Sequence, residues 1–163
     1  EADPLLEQWL KAHPGDGNVQ LYMAENLLAK KQYKPAIALL EAVLKAAPKN
    51  ALALNNLAWA YQQDKDARAR KTAEQAYALA GTNPSVMDTL GWIMVEEGDT
   101  GKGLPLLQKA VTMAPNAADI RFHLAQGLAK SGDKAGAKTH LDKVLADKSF
   151  TNVDEARELR KQL

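Results

Sequence analysis

The sequence predicts an all-α fold: a right-handed α-solenoid of stacked helix-turn-helix repeats, closed by a C-terminal capping helix. Three observations predict it. A pattern of small and apolar residues recurs every 33 or 34 residues through the 163-residue chain. Ala, Leu, Lys, Glu and Gln fill the segments between recurrences, while Gly, Asn, Asp and Pro gather at the turns. Finally, no single helix pair of this composition can bury its apolar face alone, so stability must come from stacked neighbours.

Taken from the N-terminus, residues 1–16 read as the second helix of a truncated preceding repeat. Leu6, Trp9 and Leu10 precede Pro14 there as Leu40, Val43 and Leu44 precede Pro48. The helix is expected over Asp3 to His13, and the chain is expected to be the C-terminal piece of a longer array. Four repeats follow, at 17–50, 51–83, 84–117 and 118–151. Their first helices carry Met23-Ala24, Leu57-Ala58, Leu90-Gly91 and Leu124-Ala125, and their second helices begin near Ala36, Ala69, Gly103 and Ala137. Small side chains at both places let paired helix axes approach closely. The one short step implies a residue missing from the turn at Asp64 to Ala67. Pro35 and Pro105 are expected in first turns, where a missing N–H is tolerated. Pro48 and Pro115 disfavour the α region in the residues before them and so end those helices. Residues 152–163 read as the capping helix. Asn152 with Glu155 three residues on suggests a capping box, and Val153, Ala156, Leu159 and Leu163 form one apolar stripe. The whole is expected as one continuous domain.

Composition narrows the function classes. With 46% hydrophobic and 25% charged residues the chain is a globular one, not a disordered one. A net charge of +1 from 21 basic and 20 acidic residues provides no bulk field to collect nucleic acid or an anionic membrane. No apolar run approaches the roughly 18 residues of a membrane span. Glu1 to Leu10 lacks the basic start and small-residue cleavage site of a signal peptide, so either the chain is cytosolic or any export signal has been removed. There is no cysteine, hence no disulfide framework.

Three motifs invite chemistry and fail on spacing. Gly98-Asp99-Thr100-Gly101-Lys102-Gly103 resembles a phosphate loop, but Glu96 stands where the leading Gly belongs and Gly103 where Ser or Thr belongs. Asp64-Lys65-Asp66 could open a calcium loop, but its sixth residue is Ala69 and its twelfth Gln75. His13, His123 and His140 have no metal-ligand spacing. No catalytic residue, cofactor or metal is therefore expected.

The period, the helix-turn-helix unit and the order Leu-Gly/Ala, Ala, Ala, Pro resemble the tetratricopeptide repeat family from Gly17 to about Leu145. Where that family often has Trp near the start of the first helix, this chain has Gln20, Leu54, Met87 and Arg121. The resemblance implies a concave wall built from first helices. It carries over to Asn55 and Trp59 in the second repeat, Asp88 and Trp92 in the third, and Phe122 and Gln126 in the fourth. Trp59 and Trp92 share one register, so they are expected as near neighbours with Phe122 beside them. Such aromatics either form a docking platform, with the polar residues fixing register, or pack sideways as core. The positions of a terminal-carboxylate clamp hold Leu21, Glu25, Asn56, Ser85 and Thr89, of which only Asn56 fits, so that activity is not expected.

A narrower resemblance rests on Asn55-Asn56-Leu57-Ala58-Trp59, Ala73-Glu74-Gln75-Ala76-Tyr77, Asp88 to Ile93, Gly103 to Leu107 and Ile120 to Ala125. Together these look like the C-terminal part of bacterial repeat lipoproteins linked to the PEP-CTERM/exosortase sorting system and exopolysaccharide export. That implies a non-enzymatic interaction scaffold on the periplasmic side of a Gram-negative envelope, part of a lipid-anchored longer protein. Its expected partner is a protein or peptide segment. A carbohydrate-binding surface, with polysaccharide as the partner, and a structural spacer are the alternatives.

Overall fold

A computed structural model describes residues 4–163. The expected helix start at Asp3 lies outside the described residues. These form α-helices and no strands, grouped in two compact units, residues 1–80 and 81–163. The first unit contains α1 (Pro4–Ala12), α2 (Gly17–Ala29), α3 (Tyr33–Ala46), α4 (Ala51–Gln63) and α5 (Ala69–Ala80). The second contains α6 (Pro84–Glu96), α7 (Thr100–Met113), α8 (Ala118–Ser131), α9 (Lys134–Ala146) and α10 (Val153–Gln162). The class is the α-solenoid of helix-turn-helix repeats.

Local chemistry starts and stops these helices. Asp16, Asn50, Asn83 and Asp133 accept hydrogen bonds from the first-turn N–H groups of α2, α4, α6 and α9. At the other end, one turn geometry occurs four times among the described residues. Lys31, Lys65, Gly98 and Gly132 all have φ between 58° and 90°. The N–H of the following residue reaches back across the helix end: Gln32 to Leu27, Asp66 to Tyr61, Asp99 to Met94 and Asp133 to Leu128, at 2.8–2.9 Å. Two of the four positions are lysines in a conformation that suits glycine. Lys31→Gly and Lys65→Gly are each expected to stabilise the first unit by about 0.5–1 kcal/mol. Urea unfolding followed by circular dichroism checks this, and a loss of stability would contradict it.

The missing residue falls just after Lys65. In the other repeats the second helix begins three residues before its small marker residue, whereas α5 begins at the marker Ala69 itself. The first turn it lacks is replaced by side chains. Asp66 accepts from the Arg68 backbone N–H at 2.9 Å, and the Arg68 guanidinium bonds both Asp66 and Glu41. The same guanidinium lies 4.2 Å from the Tyr61 ring centroid, and the Tyr61 hydroxyl donates to Glu41 at 2.6 Å. Gly98 to Gly103 likewise forms the turn into α7, not a phosphate cradle.

Two sequence expectations are corrected. Pro105 is not in a first turn: α7 starts at Thr100, so Pro105 is its sixth residue and leaves the Gly101 carbonyl without its helical donor. The capping box at Asn152 does not form. The Asn152 side chain makes no cap bond, and the Glu155 carboxylate is instead held by Gln126 Nε2 at 2.9 Å. The apolar stripe of α10 does pack as expected. Ala156 is fully buried, and Val153, Leu159 and Leu163 lie on a cluster of Phe122, Ala125, Leu141, Val144 and Phe150.

The tightest packing is between α6 and α7. Gly91 and Gly103 face each other so closely that a Cβ at position 103 would lie 2.5 Å from the Gly91 carbonyl oxygen and 2.8 Å from Val95 Cγ2. Val95, Met87, Ile93 and Leu107 are then almost completely enclosed.

Candidate binding site

The first helices of the second unit, α6 and α8, lie side by side, and α10 packs beyond them against α9. Helical spacing puts Asp88, Trp92 and Glu96 on one stripe of α6, and Phe122, Gln126 and Lys130 on one stripe of α8. The two stripes are joined by polar contacts. Lys130 ion-pairs with Glu96, and its ammonium lies 5.7 Å from the Trp92 ring centroid. Between them His123 stacks on Trp92, with centroids 5.0 Å apart and planes inclined by 13°. Its Nδ1 is 2.9 and 3.0 Å from the two oxygens of Asp88.

The Asp88–His123 pair is enclosed, with 11% and 15% of the two side chains exposed. Burial works against a charged imidazole at His123. The Asp88 carboxylate outweighs that, aided by Asp119 and Glu155, and the ring holds its proton more tightly than an ordinary histidine. Burial also pushes the Asp88 carboxyl up, against the pull of His123.

Beyond this pair the wall opens into a groove of about 530 Å³. Ala129, Leu159 and Leu163 are its apolar lining. Lys130 of α8 and Lys134 of α9, Glu155 and Glu158 of α10, and Gln126 and Gln162 complete the lining. Gln126 is fixed in place by its bond to Glu155. The lining has the elements of a docking surface: apolar contact area together with charged groups of both signs.

The sequence-predicted residues divide as follows. Gln126 lines the groove. Asp88 and Trp92 are beside it but buried, Trp92 with only 8% of its surface exposed. Phe122 departs from the expectation of an accessible wall residue. It is 3% exposed and meets Phe150 edge-on at 5.3 Å, beneath the capping helix. Asn55 and Trp59 lie one turn apart on α4 in the first unit. Trp59 is half-buried, and Asn55 is buried with its Oδ1 lacking a hydrogen-bond partner. Sequence reasoning weighed His123 only as a metal ligand and missed its place under Trp92. The signal was present: Trp92 and His123 are 31 residues apart, the spacing at which Asn56 meets Glu25 on α4 and α2.

A fold of stacked helix pairs defines a helical-repeat protein. The tetratricopeptide repeat family model matches residues 1–60 and 94–163, and the chain belongs to that family. Repeats of this family are generally non-catalytic scaffolds for protein–protein interaction. No curated protein matches the chain in sequence. Among solved structures, a thermophilic tetratricopeptide repeat protein from Thermus thermophilus is similar, with TM-score 0.78 and 18% identity over 97% of this chain and 87% of that one. MamA from Desulfovibrio magneticus RS-1 is similar with TM-score 0.69 and 21% identity over 94% and 84% of the respective chains. YrrB, described as a repeat protein with an unusual peptide-binding site, is similar with TM-score 0.67 and 20% identity over 99% and 86%. At these identities the likeness is one of fold. Among the described residues no helix is long and apolar enough to cross a membrane, and no three His, Cys, Asp or Glu side chains cluster as metal ligands.

Proposed function

We propose that this chain is a non-catalytic interaction module, and that the groove over α8 and α10 seats a segment of a partner protein. The observation that carries this reading is the groove itself: an open concavity whose lining combines apolar Ala129, Leu159 and Leu163 with charged side chains of both signs. An entering side chain gains burial against the apolar lining, and the charged groups orient its neighbours. The narrower sequence resemblance of residues 50–163 favours an envelope assembly, on the periplasmic side and within a lipid-anchored longer protein, as the setting.

The test uses charged lining residues that contribute little to packing. Lys134 is exposed, and Glu158 has 61% of its side chain exposed. The Lys134→Glu/Glu158→Lys double variant should keep its helical circular dichroism and lose at least about tenfold in affinity for a partner retained by the wild type from a Gram-negative envelope extract. Equal retention by both proteins, or by neither, would remove the groove as the partner site.

A further inference from the structure

The contact between α6 and α8 contains a group that packing alone does not require. An ion pair exchanged for apolar residues of similar volume is often no less stable, whereas breaking such a pair leaves an uncompensated charge. Both oxygens of the enclosed Asp88 carboxylate converge on one donor, His123 Nδ1, and they accept no other hydrogen bond among the described residues. The imidazole that supplies this donor lies flat on Trp92. Three groups at one seam thus depend on whether one ring is charged.

We propose that Asp88 and His123 form a proton-operated clasp: the charged imidazole holds α6 to α8 with Trp92 stacked against it, and loss of its proton loosens that seam. The proton leaves the ring for solvent. Nδ1 keeps its hydrogen facing Asp88, but the carboxylate then remains enclosed without a compensating charge.

The charged surroundings set the direction. From α6 the groups are Asp88 and Glu96, the latter neutralised by Lys130 of α8. From α8 comes Asp119, and from α10 Glu155, both favouring the charged ring. The inward face of α7 carries Gly103, Leu107, Ala110 and Val111, none of them titratable. On α9, the one histidine, His140, faces Arg121 at 3.4 Å. Because the folded state holds the His123 proton more tightly than the unfolded chain, the pair contributes its full stability below about pH 6.5 and loses it as pH rises through the raised folded value. The upward shift at Asp88 has the same sign, since keeping that carboxylate ionised in the fold costs stability as pH rises.

Trp92 reports the event directly, because an imidazolium stacked on an indole quenches its emission and a neutral imidazole does so far less. The chain has three tryptophans, so Trp9→Phe/Trp59→Phe leaves Trp92 as the sole emitter. In that background, emission is expected to rise in a single step with its midpoint above the ordinary histidine value of 6.5. His123→Gln should abolish the step, and Asp88→Asn should move it to lower pH. Amide exchange in residues 84–96 and 118–131, corrected for its intrinsic pH dependence, should quicken roughly tenfold across the step in the wild type and not in Asp88→Asn. A flat wild-type titration, the same step in His123→Gln, or unchanged exchange would overturn the proposal. If neither variant folds, NMR titration of the His123 ring in the wild type decides, and a midpoint at or below 6.5 overturns it.

Discussion

Gly103→Ala will destabilise the second unit by about 2 kcal/mol, although alanine is the better helix former. Intrinsic propensity alone would favour the change by about 1 kcal/mol. The geometry forbids that gain. The new methyl would meet the Gly91 carbonyl oxygen at 2.5 Å and Val95 Cγ2 at 2.8 Å. The first of these is backbone and cannot rotate aside, so α6 and α7 must separate and loosen the contacts of Leu90, Val95 and Leu107. Overpacking of this kind costs about 1–3 kcal/mol, and a backbone obstacle places it at or above the upper end before the propensity gain is set against it. Gly101, two residues earlier on the same helix, provides the control. A Cβ there meets nothing within 4 Å, so Gly101→Ala should stabilise the unit by up to about 1 kcal/mol. Urea unfolding followed by far-ultraviolet circular dichroism measures both. Two substitutions of the same sign would contradict the close approach of the two backbones.

Phe122→Ala will cost more, about 3–5 kcal/mol, the range for emptying an enclosed aromatic site. The ring is 3% exposed and joins α8 to Phe150, Leu141, Val144 and the Ala156 face of the capping helix. Without it α10 loses the surface on which it rests. Amides of residues 153–162 should then exchange faster than those of α7, and the thermal midpoint should fall. Phe122→Leu, which keeps most of the volume, should recover more than half of the loss. A variant that stayed within about 0.5 kcal/mol of the wild type while losing a partner would return Phe122 to the wall, as the sequence first suggests.

That contrast shows what a repeat sequence can and cannot convey. Helix pairs, turns and small residues at Gly91 and Gly103 were legible because they recur, and recurrence is an observation independent of any one position. Even the deletion near Asp66 could be located, because the spacing of Ala58 to Ala69 is shorter than its counterparts. The side-chain content of the wall was less legible. Shared register does not by itself name side-chain partners: within the second unit the first helices meet at offsets of 31 residues for Trp92 and His123 and 35 for Asp88 and His123. Register also does not say which face of α8 the capping helix covers, and that face decides whether Phe122 is wall or core. Glu155 shows the limit at shortest range. Its sequence context suits a capping box, but Gln126, 29 residues away, competes for the carboxylate and takes it.

The distribution of enclosed bulk has a consequence for how the chain behaves as it is made. Of the largest fully buried side chains among the described residues, Leu40 alone belongs to the first unit, while Met87, Ile93, Val95, Leu107, Leu124, Leu141 and Val144 all belong to the second. The first unit is packed mainly on alanines, and it leaves Leu5, Trp9, Tyr22, Leu52 and Leu79 substantially exposed. Fewer bulky side chains are withdrawn from water there than in the second unit, so its helices open at lower free energy. It is also made before the second unit. Within these 163 residues the softer unit is therefore the one that waits longer in the company of proteases and chaperones, and nascent-chain cleavage should fall in it more often than in the second unit.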